Sequence, residues 1–213
     1  MHAGYSCAEI NTVTAGNENR VGMIADAAPD CACEQHSMSQ YSPGLVKNEE
    51  TIARMVCIPM HVHKKKPELL PSFFGHVFSF GMSAQRLEKT NDAELANWVN
   101  QFVGGADDRV WLGYVQAPCK KIRDVLRVDK NSQAFCVYDV GLVDNGSHVE
   151  ICASNRIIED ADRIETRARL RQAFSNGKIL SRASLKDGRV QSLVNGELLM
   201  RDVADCWKPL IAG

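Results

Sequence analysis

The side chains best suited to chemistry in this sequence are imidazoles and carboxylates in two separate stretches of the chain. They are His61, His63, Asp139, His148 and Glu150. Such groups, brought together, supply a general acid and a general base, or the ligands of a divalent metal. The sequence therefore predicts a catalytic site that joins these five residues across about 90 positions.

Three further polar residues are candidates for substrate binding: Arg54, Ser83 and Arg86. A guanidinium presents a planar fork of donors that suits phosphate and other anions. We therefore expect an anion at Arg86, although an internal salt bridge to a carboxylate would explain this residue equally well. Hydrolysis or transfer at a phosphate or nucleotide group is the predicted reaction class, because it needs mainly positioning and charge stabilisation.

A cysteine cluster near the N-terminus is the second candidate site. Cys31, Cys33 and His36 lie close together in the sequence, and Cys57 could complete the set from a predicted strand. Thiolates and imidazoles are preferred zinc ligands. Since C-x-C-x2-H is only half a site, zinc is one hypothesis for this segment and a flexible cysteine-containing arm is the other. The eight cysteines are scattered, so most are expected to be reduced.

A predicted β-hairpin over residues 134–153 must position three of the catalytic candidates. Asn145-Gly146 between two β-rich runs is a strong signal for a two-residue turn. That turn pairs Asp139 with Cys152. Alternation then predicts two faces: Asp139, His148, Glu150 and Cys152 on one, and Tyr138, Val140, Leu142, Val149 and Ile151 on the other.

The histidines of the first stretch belong to a predicted strand over residues 51–63. Its apolar residues alternate with Cys57, His61 and His63, which share one face. For His61 to meet His148, this strand must lie beside or across from the hairpin.

The remaining pattern predicts further strands and two clear helices. Helices are expected over 91–103, after the capping candidates Thr90 and Asn91, and over 159–174, where acidic residues precede arginines. The 118–128 stretch is expected to be a short helix and 109–115 a buried strand. Turns at Asp187-Gly188 and Asn195-Gly196 predict a meander over 178–203.

These elements predict one α+β domain over residues 49–213, with a mainly antiparallel sheet and two to three helices. Residues 1–48 show no sustained period and are expected to form an irregular arm, suited to binding a protein partner. The net charge of −1 argues against a protein that binds nucleic acid through bulk electrostatics. The sequence has no long apolar run, so the chain is expected to be cytoplasmic, without a membrane segment. A partner nucleic acid is left open, since only small basic patches exist.

Several short motifs carry a resemblance. They are Arg54, Met60-His61, Pro71-Ser72-x-Phe74, Gly81-Met82-Ser83-x-x-Arg86, and Tyr138-Asp139 through Asp144-Asn145 to His148. Over about residues 50–155 the chain resembles a group of uncharacterised bacterial proteins, some of them in gene neighbourhoods of anti-phage or conflict systems. The resemblance implies a bacterial protein connected with antiviral defence, and it implies no activity.

Two functional hypotheses follow from the sequence. The first is an enzyme that acts on a nucleotide or another phosphate-containing substrate through the His/Asp/Glu site. The second is a non-catalytic interaction subunit of a larger complex, in which the same residues form a recognition surface. The common nucleotide-binding, hydrolase and metalloprotease motifs are absent from the sequence.

Overall fold

The computed structural model describes residues 5–58, 60–62, 69–91, 94, 97–98, 110–129, 131–155, 159–174, 179–180, 185–186, 189–194, 197–202 and 211–212. His63 and most of the helix predicted over 91–103 lie outside the described residues. Where that helix is described, Glu94, Asn97 and Trp98 are helical. Asn91 is the capping residue, and it forms a reciprocal cap with Glu94, in which the Glu94 amide donates to Asn91 Oδ1 at 2.9 Å.

Four α-helices and two 3₁₀-helices have both ends among the described residues. The α-helices are α1 (Cys7–Thr14), α2 (Arg20–Ala27), α3 (Cys119–Arg123) and α4 (Asp160–Ala173), and the 3₁₀-helices are η1 (Pro29–Gln35) and η2 (Pro71–Phe78). Helix α4 confirms the prediction from charge order, with acids in its first turn and Arg171 in its last. Helix α1 begins with a capping box of Ser6 and Glu9.

Ten strands form two sheets in the described part of the chain. The strands are β1 (Thr51–Ile58), β2 (Met82–Arg86), β3 (Val110–Pro118), β4 (Phe135–Asp139), β5 (His148–Ala153), β6 (Ile179–Leu180), β7 (Leu185–Lys186), β8 (Arg189–Val194), β9 (Glu197–Asp202) and β10 (Ile211–Ala212). The larger sheet has the order β10-β6-β3-β1-β2-β5-β4, and β7-β8-β9 form the smaller one. All pairs are antiparallel except β10 with β6. The predicted α+β class is confirmed.

The large sheet is covered on both faces. On one face, Ile52, Val137 and Val149 belong to an apolar cluster with Phe73 of η2 and Leu170 of α4. On the other face, near β4 and β5, a second cluster includes Ile10 of α1, Ile24 of α2, Cys136, Tyr138 and Cys152. The chain therefore buries two cores, and the second depends on the N-terminal segment.

The N-terminal segment differs from the irregular arm that the sequence predicted. Residues 5–46, which we call the strap, contain α1, α2 and η1 and pack against the sheet. Two disulfides, Cys7–Cys33 and Cys31–Cys136, fasten it. Short helices of this kind gain most of their stability from tertiary contacts. For this reason the sequence shows no clear helical spacing of apolar residues in this segment.

The register of the central hairpin also differs from the prediction. Tyr138 pairs with Glu150 and Asp139 pairs with Val149, so the register is shifted by three residues, and residues 140–147 form a longer connection. Because side chains alternate, an odd shift reverses the faces. The prediction of a two-residue turn is therefore wrong. Glu150 lies on the same sheet face as Tyr138, and Asp139 lies on the opposite face.

Candidate binding cleft

A cleft of about 1020 Å³ lies between the strap and the sheet. Helix α1 and the 38–41 segment form one side of it, and β2, β5 and the 140–145 connection form the other. Two of the predicted site residues, Ser83 and Glu150, line this cleft. They are paired neighbours on β2 and β5, so their side chains share one face of the sheet.

An ion pair between the strap and the sheet forms part of the cleft wall. Arg20 Nε of α2 donates to Glu150 Oε2 at 2.8 Å, and both side chains are largely buried. The rest of the guanidinium donates to Asn11 and Thr14 of the α1 segment. Arg20 therefore holds α1, α2 and β5 together, and its donors are used within the chain.

The rim of the cleft is apolar and exposed. Tyr41, Phe80, Leu142 and Val143 line it, with exposures between 40% and 69%. Exposed large apolar side chains that gather around one concavity commonly mark a binding site. His76, which also lines the cleft, has a pKa lowered by burial and by the charge of Arg54.

His148 is buried beside this cleft without lining it. It shares a sheet face with Gln85, its paired neighbour on β2, and its Nδ1 has no hydrogen-bond partner among the described residues. Burial lowers the pKa of His148, and the attraction of the Glu150 carboxylate offsets only part of that effect. Burial therefore favours the neutral form of the ring.

Asp139 serves the attachment of the strap. Its carboxylate accepts hydrogen bonds from Ser37 Oγ at 2.8 Å and from Ser42 Oγ, and it lies 3.6 Å from Arg86 Nη1. Burial raises the pKa of Asp139 despite these partners. Because it belongs to the opposite face from Glu150, the expectation that the two carboxylates share a side is wrong.

His61 lies apart from His148. Strand β1 ends at Ile58, and His61 follows in a turn where its Nδ1 accepts from the Cys57 amide at 3.0 Å. Its ring packs edge-on against Phe73, in the cluster that covers the other face of the sheet. The structure therefore does not bring His61 and His148 into one site. The sequence pattern placed His61 on a strand face, whereas the chain turns at this position.

Arg86 has the internal salt bridge that was the alternative to anion binding. Its Nε and Nη2 donate to Glu50 at 2.6 and 2.7 Å, and Nη1 and Nη2 donate to the carbonyls of Gly44 and Leu45. Burial alone would raise the pKa of Glu50, but the hydrogen bonds from Arg86 and the Lys47 amide outweigh it and lower that pKa. Arg86 is fully buried and occupied by these partners.

Arg54 is buried without a carboxylate partner among the described residues. Its Nη1 donates to the Ser83 carbonyl at 2.8 Å, its guanidinium lies 4.8 Å from the Phe73 ring centroid, and its Nε has no described partner. Burial lowers the pKa of Arg54 to about 10. The group therefore carries a charge in the interior, shut away from the cleft.

The cysteine cluster does not form the predicted metal site. Cys31 and Cys33 are disulfide-bonded to different partners, His36 is exposed at the end of η1, and Cys57 is buried in β1. Within the described part of the chain, no group of three or more His, Cys, Asp or Glu side chains could hold a metal ion. The zinc hypothesis on these sulfurs is wrong, since a disulfide sulfur is not a thiolate ligand.

Sequence reasoning missed the strap side of the cleft. Asn11, Arg20 and Tyr41 belong to a segment with no sustained period, and no local motif marks them. Phe80 lies in an apolar stretch without a clean period, so the sequence does not distinguish it from its neighbours. These positions become significant only when the strap folds onto the sheet.

Comparisons with family models, with curated proteins and with solved structures found no match to this chain. Among the helices described here, none is long and apolar enough to cross a membrane.

Proposed function

We propose that this chain is a non-catalytic binding module, which takes a segment of a partner protein into the cleft between the strap and the sheet. One observation carries the proposal: the Arg20–Glu150 pair of the cleft wall is satisfied internally, whereas the rim is apolar and exposed. Such a surface loses unfavourable contact with water when a partner covers it.

The charge of the cleft indicates what the partner segment carries. The described lining residues include one arginine, Arg20, and two carboxylates, Asp144 and Glu150. The aromatic rings of Tyr41 and Phe80 stand at the rim, where they can accept a cation against their faces. An apolar segment with a lysine or arginine complements this surface.

An enzyme acting on a phosphate or nucleotide group is the alternative. That reaction needs a cation free to hold the anion. The donors of Arg20 and Arg86 go to groups of the chain itself, and Arg54 is closed off from the cleft. For this reason the binding module is the better supported of the two.

Several attributes remain predictions from the sequence. The bacterial origin and the connection with antiviral defence rest on the resemblance alone. The cytoplasmic location also remains a prediction, and the two disulfides count against it, because disulfides are typical of oxidising compartments. A protein partner is still expected, and we place its binding site in the cleft rather than on a free N-terminal arm.

A random peptide library displayed on phage tests the proposal with the intact, oxidised protein. We expect enrichment of peptides that share apolar residues and a lysine or arginine. Phe80→Ala should weaken binding of an enriched peptide at least tenfold, because it removes an aromatic ring from the apolar rim. The matched control is Ile164→Ala, on an exposed residue of α4 outside the cleft.

Two results would overturn the proposal. One is the absence of any shared peptide pattern, or equal peptide binding by the Phe80→Ala variant. The other is calorimetric binding of ATP or pyrophosphate together with their turnover, which would favour the enzyme.

A further inference from the structure

The strap and the sheet together place five cysteine sulfurs in and around one buried cluster. Cys31, Cys33, Cys136 and Cys152 belong to the second core, and Cys7 packs against it. Four of them form the Cys7–Cys33 and Cys31–Cys136 disulfides. The first bridge lies within the strap, and the second joins the strap to β4.

The four bonded cysteines differ in their access to solvent. Cys7, the first residue of α1, is only half-buried, whereas Cys31, Cys33 and Cys136 are buried. Thiol exchange requires a thiolate to reach a sulfur of the bridge. Within the described structure, Cys7 therefore offers the approach to the first bridge, and the second bridge has no exposed member.

We propose that the Cys7–Cys33 disulfide is a thiol-exchange site that controls binding at the cleft. The control of binding rests on the function proposed above. The reagent class is a small thiol such as glutathione. Its thiolate attacks Cys7 Sγ, a mixed disulfide forms, and Cys33 leaves as the thiolate. A second thiolate attacks the sulfur of the reagent in that mixed disulfide, which gives the oxidised reagent and a reduced Cys7.

Release of Cys7 affects the cleft because α1 forms part of its wall. Ala8, Asn11 and Thr12 of α1 line the cleft, and Asn11 accepts from Arg20 Nη2 and Nη1. An eight-residue helix is marginal without tertiary attachment. Loss of the bridge therefore loosens α1, and with it the support of the Arg20–Glu150 pair.

The second bridge is protected from exchange with the neighbouring free thiol of β5. Cys152, a free thiol, is the cross-strand neighbour of Cys136 and is well placed for exchange. Burial and the Glu150 carboxylate raise the pKa of Cys152 well above its usual range, so it stays a thiol. The strap then remains tied to β4 after the first bridge opens.

The order of reduction is measurable on the full chain. The protein is incubated with increasing glutathione, trapped with iodoacetamide and mapped by mass spectrometry, with hydrogen exchange followed in parallel. We expect alkylation of Cys7 and Cys33 while Cys31–Cys136 stays bonded, and at least tenfold faster amide exchange in α1 than in the oxidised protein, with β4 unchanged. The Cys7→Ser/Cys33→Ser variant should reproduce this exchange pattern and show no further response to glutathione.

The outcomes separate this inference from the binding function. Simultaneous loss of both bridges, earlier loss of Cys31–Cys136, a new Cys31–Cys33 bond, or unchanged exchange in α1 would overturn the exchange site. If the exchange site behaves as expected, an enriched displayed peptide should bind the reduced form at least tenfold more weakly. Equal binding to both forms would overturn the control of the cleft, and no peptide binding by either form would overturn the proposed function alone.

Discussion

At the level of single residues, the buried arginines differ in their partners. Arg86 is enclosed by Glu50 and Asp139, so its charge is compensated where water is absent. Arg54 contacts the Ser83 carbonyl and the Phe73 ring, and it has no carboxylate partner among the described residues. A buried charge is costly when unpaired, so the consequence of removing it depends on what it leaves behind.

Replacement of these two arginines by methionine should have unequal effects. Arg86→Met leaves the Glu50 and Asp139 carboxylates buried without the guanidinium that they share, and should lower the free energy of unfolding by about 3–5 kcal/mol. Arg54→Met removes one hydrogen bond and a buried charge that has no carboxylate partner among the described residues. It should change the free energy of unfolding by about 1 kcal/mol. Urea unfolding at neutral pH measures both, and similar losses in the two variants would contradict this account.

At the level of elements, β2 begins with a close approach to β5. Gly81, just before β2, has a φ of +89°, and a Cβ there would lie 2.9 Å from Glu150 Oε2 and 3.2 Å from Cys152 Sγ. The Glu150 side chain is fixed by Arg20 and cannot move away freely. Glycine is therefore needed here for the backbone conformation and for space.

Gly81→Ala should be more destabilising than Gly16→Ala, which is its matched control. Gly16 also has a positive φ, of +72°, but a Cβ there meets no atom within 4 Å, so only backbone strain of about 1 kcal/mol is expected. For Gly81→Ala we expect at least about 1 kcal/mol more, from overpacking against Glu150. Thermal or urea unfolding of both variants gives the difference, and equal losses would show that the contact with Glu150 is easily relieved.

At the level of the whole molecule, the strap and the sheet depend on each other. The second core takes residues from both, and the Cys31–Cys136 bridge closes a sequence separation of 105 residues, against 26 for Cys7–Cys33. A longer closed loop removes more conformational entropy from the unfolded chain. The bridge to β4 should therefore stabilise the fold more than the bridge within the strap.

Paired serine variants test this difference under non-reducing conditions. Loss of Cys31–Cys136 should lower the free energy of unfolding by about 4.8 kcal/mol, and loss of Cys7–Cys33 by about 3.5 kcal/mol, from the entropy of loop closure. Urea unfolding of Cys31→Ser/Cys136→Ser and Cys7→Ser/Cys33→Ser measures the two losses. A larger loss for the short loop would mean that local contacts of α1 outweigh the entropy term.

The amino-acid sequence determined the features that depend on neighbours along the chain. Charge order predicted α4, Asn91 predicted a cap, and alternation predicted β1 as far as Ile58. In the C-terminal meander Val194 pairs with Glu197, which is the register that a two-residue turn at Asn195-Gly196 requires, although the turn itself lies outside the described residues. Each of these signals acts over a few residues, so the sequence is enough to specify it.

The tertiary structure decided the role of the other Asn-Gly pair, Asn145-Gly146. Asn145 is buried and exchanges side-chain hydrogen bonds with Gln85, so it anchors the connection to β2 rather than forming the tip of a turn. At Gly146 a Cβ would lie 2.8 Å from the Tyr41 carbonyl, and at Gly141 one would lie 2.9 Å from the Ser42 backbone. The absence of a side chain at these glycines lets the strap backbone pack closely against them. Because that contact joins segments about 100 residues apart, no local sequence pattern predicts it.

The same distinction applies to the candidate site. The sequence identified Ser83 and Glu150 as chemically useful residues, and both line the cleft. It could not show that Arg20 neutralises Glu150, that Glu50 occupies Arg86, or that Cys31 and Cys33 are bonded to different partners. Pairings of charges and sulfurs depend on which surfaces the two cores bring together, and only the folded chain decides that.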